Sequence, residues 1–524
     1  MTSSEGKRYD AVIIGGGHNG LVCAAVLAKT GRKVLVVEAG SELGGAARTE
    51  EFTPRFRASM AHILNRLHPE VIRALELEKH GLKLGAPAPS VALSEERPLA
   101  LLGAYGEKLD GASASETEAW KGLRAQLLRY AGIMKPLLTK RPPDLEGMAL
   151  SESAGFGLAA LNLRRLGKED MRDFLRMLLM NVADVLDEHL TDDRLRGLLA
   201  FDATLGSHLG PRSPTSLLGL YYRLTGEIGG AAGAQVIPDG GMGAVTTAIA
   251  RAADSVGVMT RTDAPVARVL IEKGRAVGVA LASGEDIHAG SVVSAINPQT
   301  TFLRLVGTRE LDTGFVRKVT NIRMRGDVAK LHLALDRVPD FTGMRSEWLR
   351  GRLVIAPSPD HVERAFNPAK YGEFSPEPMM EIALPNLTDA SLAPAGACVL
   401  SANVQYAPYA LKEGWAAGKQ KFFQAIMAQL ERYAPGIGRM TRHAQLLTPV
   451  DIEQRYRTPG GHWHHGELQA DQMLMSRPVS GASGYDTPVE GLFLAGAGSH
   501  PGGGVSGVPG LNAARRVMAV GAPS

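Results

Sequence analysis

The chain has 524 residues, more than one hydrophobic core ordinarily serves, and its 44% hydrophobic and 21% charged content is that of an ordinary globular protein of two interleaved domains. A formal charge of +4, with no basic run interleaved with aromatics, argues against nucleic-acid binding, and two distant cysteines, Cys23 and Cys398, exclude a disulfide framework or thiolate zinc cluster and suit a reducing compartment. No run approaches about 18 apolar residues and residues 1–8 are a short polar lead, so a cytoplasmic location without signal peptide or spanning helix is expected, contact with a membrane surface being left open.

The first element is a buried apolar run at 11–14, as a parallel strand covered on both faces requires. Gly15, Gly17 and Gly20 follow at GxGxxG spacing: one for a tight turn, one for close approach of backbone to a pyrophosphate, one for packing helix on strand. Residues 19–29 carry Leu21, Ala24, Ala25 and Ala28 at helical spacing and stop at Gly31. Residues 33–37 read as a second strand, with Glu38 at its end, about 20 residues past the glycines, where a carboxylate binds ribose hydroxyls. The combination predicts a dinucleotide site.

Pro54 then breaks the pattern, and the small residues of 58–61 let backbone approach something flat. From Pro69 to about Leu224 the pattern is largely helical, with stretches at 116–138 and 171–190. In the second, Met171, Phe174, Leu175, Leu178, Val182, Val185 and Leu186 form a stripe at i, i+3, i+4, i+7 spacing. It reads as a core-facing helix of an inserted domain or, alternatively, as the lining of a lipophilic tunnel or a membrane-resting face. Glycines at 239–243 lead into a helix at 244–253; 259–263, 264–271, 276–281 and 291–296 look like strands, the last closed by Asn297-Pro298. Residues 301–484 mix strands such as 328–335 with a helix at 419–433. Residues 491–498 run as a strand into glycines, 499–506 form a loop, and 508–520 a helix with Pro509 in its first turn. The open N–H groups and positive dipole end of that helix would face whatever the loop holds.

The GxGxxG glycines, Glu38, Gly44-Gly45 and the closing run from Gly496 to Gly504 together resemble the phytoene-desaturase-like group of FAD flavoproteins, which includes carotenoid desaturases, carotenoid isomerases and flavin-type carotene ketolases. With 239–243, 292–300, Gly460-Gly461 and 499–506 added, the likeness is strongest to proteins of the pyridine nucleotide-disulphide oxidoreductase domain-containing protein 2 type, in order over nearly the whole chain. The expected fold class is α/β: a Rossmann-like FAD-binding domain from 1–70, 235–300 and 485–524, interleaved with an α+β substrate domain. That second domain combines a largely helical insertion, 71–234, with a mixed sheet and helix part, 301–484. The resemblance implies Glu38, with Ala39, at the adenosine ribose, and Gly15, Gly17 and Gly20 at the pyrophosphate. Gly45, Ala46, Arg48, Ala61 and His62 would lie along the ribityl chain and flavin, and the Val266 backbone would meet the adenine. Gly496, Ala497, Gly498, Gly504, Val505 and Ser506 would hold the ribityl-phosphate and pyrimidine ring. Ala497 departs from the aspartate common there, as Asn297 does from another in a turn. No redox cysteine pair is present, and the other glycine clusters lack the strand, helix and acid context, so FAD alone is expected rather than FAD with an NADPH domain.

Catalytic candidates are His62, His464, His465 and Glu467. The run from Gly460 to Glu467 lacks an HxxxH or HExxH helix, so no metal is expected; it reads as acid/base groups on a substrate cavity or as a hydrogen-bonded loop between domains. His62 reads as a flavin contact or a satisfied core histidine, and His500, before Pro501, as turn architecture. The flavin would carry the redox chemistry while the protein orients and tunes it, with the helix near Val508 stabilising the reduced form. The expected function is FAD-dependent hydride or two-electron exchange between flavin N5 and a lipophilic substrate of polyene or isoprenoid kind, with an unidentified electron acceptor. Flavin-dependent double-bond isomerisation without net redox, and an FAD-binding scaffold with little turnover, stand as alternatives. The oligomeric state is left open.

Overall fold

Two sheets and a block of helices make up residues 9–142, 161 and 163–520, which the computed structural model describes; the polar lead at 1–8 lies outside them. The first sheet has seven strands, in the order Met259–Arg261, Val34–Val37, Tyr9–Ile14, Asp286–Ser294, Arg275–Leu281 and Val266–Glu272, with Leu492–Leu494 also paired to Asp286–Ser294. Tyr9–Ile14 runs parallel to both its neighbours, Ile14 standing beside Val37 and Ser294. Because side chains alternate across a strand, these apolar runs divide cleanly. Ala11, Ile13, Val34 and Val36 bury against Leu21, Val245 and Leu511 of the helices His18–Ala28, Gly241–Ser255 and Val508–Val520. Val12, Ile14, Leu35 and Val37 bury on the other face with Val269, Val279, Phe302 and Phe315. A sheet covered on both sides explains why its parallel strands read as unbroken apolar runs.

The second sheet has eight strands: Thr441–Leu447, Val328–Leu335, Cys398–Gln405, Met379–Ala383, Arg352–Ile355, Ser90–Ala92, Leu99–Leu102 and Lys108–Asp110. Leu331 and Leu333 pack on one face against Phe422, Ile426 and Leu430 of the helix Trp415–Tyr433. The other face carries Val354 and Met379 toward the helical block, where they meet Phe201 and Leu199. Three of its strands fall within the stretch whose periodicity reads as largely helical; runs of three and four residues are too short to display a period.

The helical block contains Ala114–Met134, Lys168–Leu179, Val182–His189, Asp193–Thr204 and Leu217–Leu224. The stretch 171–190, expected as one helix, is two. Met180 leaves the helical region at ψ 158°, and Asn181 caps the second helix by accepting from the Asp184 N–H at 2.9 Å. Of the apolar stripe, Phe174, Val182, Val185 and Leu186 are buried within the block while Leu175 is 49% exposed. None lines the cavity described below. Among the described residues no helix is long and apolar enough to cross a membrane.

Candidate functional site

A cavity of about 510 Å³ reaches from the carboxyl ends of the parallel strands to the second sheet. Its first wall is the glycine turn, where the three glycines do different work. Gly15 has φ +99°, a conformation L side chains rarely adopt; a Cβ on Gly17 would stand in open space with nothing within 4 Å; a Cβ on Gly20 would meet the Gly15 carbonyl oxygen at 2.1 Å. The second position is thus a cradle that a side chain would fill, at the N-terminus of His18–Ala28, where open N–H groups and the helix dipole favour phosphate. Glu38 is fixed at the cavity edge by the N–H groups of Gly16 and Gly40, each at 2.7 Å. Its carboxylate oxygens keep lone pairs for ribose hydroxyls. These residues fit an FAD-sized dinucleotide.

The cavity gathers Gly15, Gly17, Glu38, Ala39, Gly45, Ala46, Arg48, Ala61, His62, Val266, Ala497, Gly504 and Val505 of the expected cofactor residues. Gly20, Gly496, Gly498 and Ser506 stand behind the wall instead. Cβ atoms at Gly496 and Gly498 would meet the Ile296 carbonyl oxygen at 2.7 Å and Pro298 at 2.5 Å, and the Ser506 hydroxyl accepts from the Val508 N–H at 3.3 Å. Their contribution is to let the wall close up.

Opposite the glycine turn, strand register writes a polar row. Lys330 lies beside Asn403, and Asn403 beside Glu381, on three adjacent strands. Lys330 Nζ donates to Asn403 Oδ1 at 3.0 Å and to His62 Nδ1 at 2.7 Å. Asn403 Nδ2 and His62 Nε2 donate to Glu381 Oε1 at 2.9 and 3.1 Å. Arg352 then bridges Glu381 to Asp202, which also accepts from the Tyr105 hydroxyl at 2.8 Å and faces Arg223 at 3.2 Å. A connected buried network of this kind holds its members in one arrangement, with Arg352 Nη1 left without a partner. Burial brings Lys330 down to about 7; burial, with Lys330 beside it, takes His62 to about 4. Burial alone would raise Glu381, but Arg352 and His62 hold it well below the usual carboxylate range. His62 is therefore a neutral imidazole whose partners assign its proton to Nε2, and Lys330 is the group that changes charge near neutrality. His62, Glu381, Asn403, Asp202 and Arg223 line the cavity, with Lys330 directly behind. Of this row the sequence reading named only His62. The available signal was a charged residue within each of two wholly buried strands, Val328–Leu335 and Met379–Ala383.

His464 and His465 line the cavity and Glu467 does not. The Glu467 carboxylate accepts from the Arg325 N–H at 3.2 Å and from the Gln469 amide, so it holds the loop rather than facing a substrate, and burial pushes its pKa up. Arg477, 2% exposed, organises this loop. It donates to the carbonyls of His464, Gly466, Glu467, Gln472 and Ala497, tying the histidines to the closing glycine run. Burial lowers His18 and His465 to about 4 and holds His464 well below its ordinary value, so all three are neutral. Their neighbour His500, outside the cavity lining, has Nε2 2.9 Å from the Leu137 carbonyl. Among the described residues no group of three or more His, Cys, Asp or Glu is placed to hold a metal ion. Cys23 and Cys398 are free and buried, each thiol pushed up to about 12 by burial, so they form no redox pair.

The sequence profile of the family described as Flavin containing amine oxidoreductase matches residues 20–518. The chain is 35% identical to Pyridine nucleotide-disulfide oxidoreductase domain-containing protein 2 of Mus musculus, over 97% of this chain and 93% of that protein. It is 29% identical to a neurosporene-forming phytoene desaturase of Cereibacter sphaeroides, over 63% of this chain and 61% of that one. Among solved structures, a cofactor-binding mutant of putrescine oxidase has a similar fold, with a TM-score of 0.62 at 16% identity over 98% of this chain and 99% of that one.

Proposed function

The chain belongs to the flavin containing amine oxidoreductase family and is an FAD-dependent oxidoreductase, and from that premise we propose that it exchanges two electrons with a carbon of a lipophilic substrate of polyene or isoprenoid kind. The observation that carries this reading is the continuity of the cavity. From the glycine cradle it runs without a break to a region walled by Met60, Leu205, Ile452, Trp463 and Leu468. The likeness to a protein named phytoene desaturase supports the same substrate class.

Bound FAD supplies the two-electron chemistry. The Gly15–Gly17 turn and the following helix end would hold its pyrophosphate, and Glu38 would accept from ribose hydroxyls. Removing two hydrogens from adjacent carbons leaves one proton for the protein to accept. Lys330 Nζ is the group with a pKa matched to that task, and it communicates with the cavity through His62 and Asn403.

The test is anaerobic mixing of the yellow holoprotein with a lipophilic polyene. Bleaching of the flavin absorbance, with a product lighter by two hydrogens, is the expected result. A product of unchanged mass, formed only after prior flavin reduction, would put isomerisation in its place. A protein that takes up no FAD would leave only a scaffold.

A further inference from the structure

Two buried arginines back onto the closing glycine run without an acidic partner, and they differ in how many acceptors surround them. Arg477 directs its Nη1 and Nη2 at five carbonyl oxygens, leaving only Nε without a partner. Arg66, 7% exposed, donates Nη1 to the Tyr222 carbonyl and Nη2 to the Thr225 hydroxyl at 3.3 Å, while its Nε is buried without a partner. Among the described residues no carboxylate forms an ion pair with it. The other cavity arginines differ: Arg48 and Arg455 pair with Glu50, Arg223 pairs with Asp202, and Arg457 is exposed to solvent. Arg66 lines the cavity, its guanidinium carbon 3.6 Å from the centre of the Tyr222 ring. A Cβ on Gly504 would come within 3.5 Å of its Nε, so the unpaired donor borders the closing run.

A guanidinium keeps its proton in a protein, so burial cannot neutralise it as it neutralises the nearby histidines. An uncompensated buried cation is strongly unfavourable unless what fills the cavity supplies the opposite charge. We propose that Arg66 is an anion-binding residue of the cavity, the counter-charge to a planar monoanion. Two sources have that chemistry: the anionic pyrimidine edge of the reduced cofactor, and a carboxylate on the substrate. The inference rests on the FAD reading but not on a polyene substrate.

The experiment uses the full-length holoprotein with two probes, sulfite, which adds to oxidised flavin and leaves a negative charge on it, and decanoate, an apolar carboxylate read by its perturbation of the flavin spectrum. Arg66→Gln removes the charge while keeping amide donors; Arg66→Lys restores the charge. FAD content and melting temperature check the fold. If the cofactor is the partner, Arg66→Gln weakens sulfite binding at least tenfold and lowers the two-electron potential by about 30 mV per tenfold, and Arg66→Lys recovers most of both. If a substrate carboxylate is the partner, sulfite binding and potential hold while decanoate binding weakens at least tenfold. Either result supports the assignment. Binding of both probes within twofold of wild type in Arg66→Gln overturns it, as does a wild type that binds neither. Should Arg66→Gln lose FAD, Arg66→Met, better suited to burial, takes its place. Failure of the FAD reading itself would show separately, as a protein that is colourless before any probe is added.

Discussion

Gly17 and Gly20 are the same residue three positions apart, and the structure makes their substitution fail in opposite ways. Gly17 has φ −71°, open to any residue, and its missing Cβ points into empty cavity. Gly17→Ala should leave the apoprotein's stability unchanged or raise it by about 0.4–1 kcal/mol, while weakening FAD binding tenfold or more. Gly20→Ala drives a methyl to 2.1 Å from the Gly15 carbonyl oxygen and should destabilise the apoprotein by about 1–3 kcal/mol. Apoprotein melting and FAD titration by fluorescence separate the two, and an apoprotein melting temperature lowered as much by Gly17→Ala as by Gly20→Ala would sink the distinction. These roles were legible because a turn, a close approach and a packing contact are all local consequences of spacing. The row Lys330, Asn403, Glu381 was not, because it exists only once three strands distant in sequence take their register. Arg66 left no pattern at all; its significance is the absence of an acidic partner, which only a folded chain reveals.

Among the elements, the closing helix was legible to the residue, Val508–Val520, since Pro509 and the glycines before it mark its start. The break at Asn181 was hidden because the apolar period continues through it, and a capping side chain overrides the period. The closing helix reaches the glycine-turn helix through Gly510, where a Cβ would lie 2.1 Å from the Asn19 carbonyl oxygen. Gly510→Val should therefore pry the two helices apart, costing about 1–3 kcal/mol and speeding FAD loss, because both helices border the cofactor wall. Gly122, inside Ala114–Met134 with nothing within 4 Å of its would-be Cβ, is the control. Gly122→Ala should raise stability by about 0.5–1 kcal/mol. Thermal melts and FAD release rates of the pair check both signs; equal effects would mean that glycine's backbone freedom, not helix contact, governs Gly510.

At the scale of the whole molecule, the cofactor cavity is a neutral-histidine environment assembled from three distant parts of the chain. His18, His62 and His465 are each lowered to about 4, His462 to about 3 and His500 to about 4, burial being the first cause in every case. Folded values below the ordinary 6.5 mean that the unfolded chain binds more protons between about pH 6.5 and 4, so stability falls as pH drops through that window. Each such group contributes a slope of up to about 1.4 kcal/mol per pH unit, and several acting together make the fall steep. Lys330 works in an adjoining window: lowered from 10.5 to about 7, it disfavours the fold fully below pH 7, and that penalty is relieved as pH rises toward 10.5. Both effects push the optimum to the alkaline side of neutrality. Glu381, held low by its partners, loses its contribution only at more acidic pH than the histidines begin to act, so it does not mask them. The holoprotein should melt highest above pH 7 and lose both cooperativity and FAD steeply below pH 6.5, because three of the five histidines face the cavity and charge as it opens. Melting curves and released-FAD fluorescence from pH 4.5 to 9 at constant ionic strength measure this directly. A melting temperature that holds level from pH 7.5 to 5.5 would mean that these imidazoles are solvated in the working molecule.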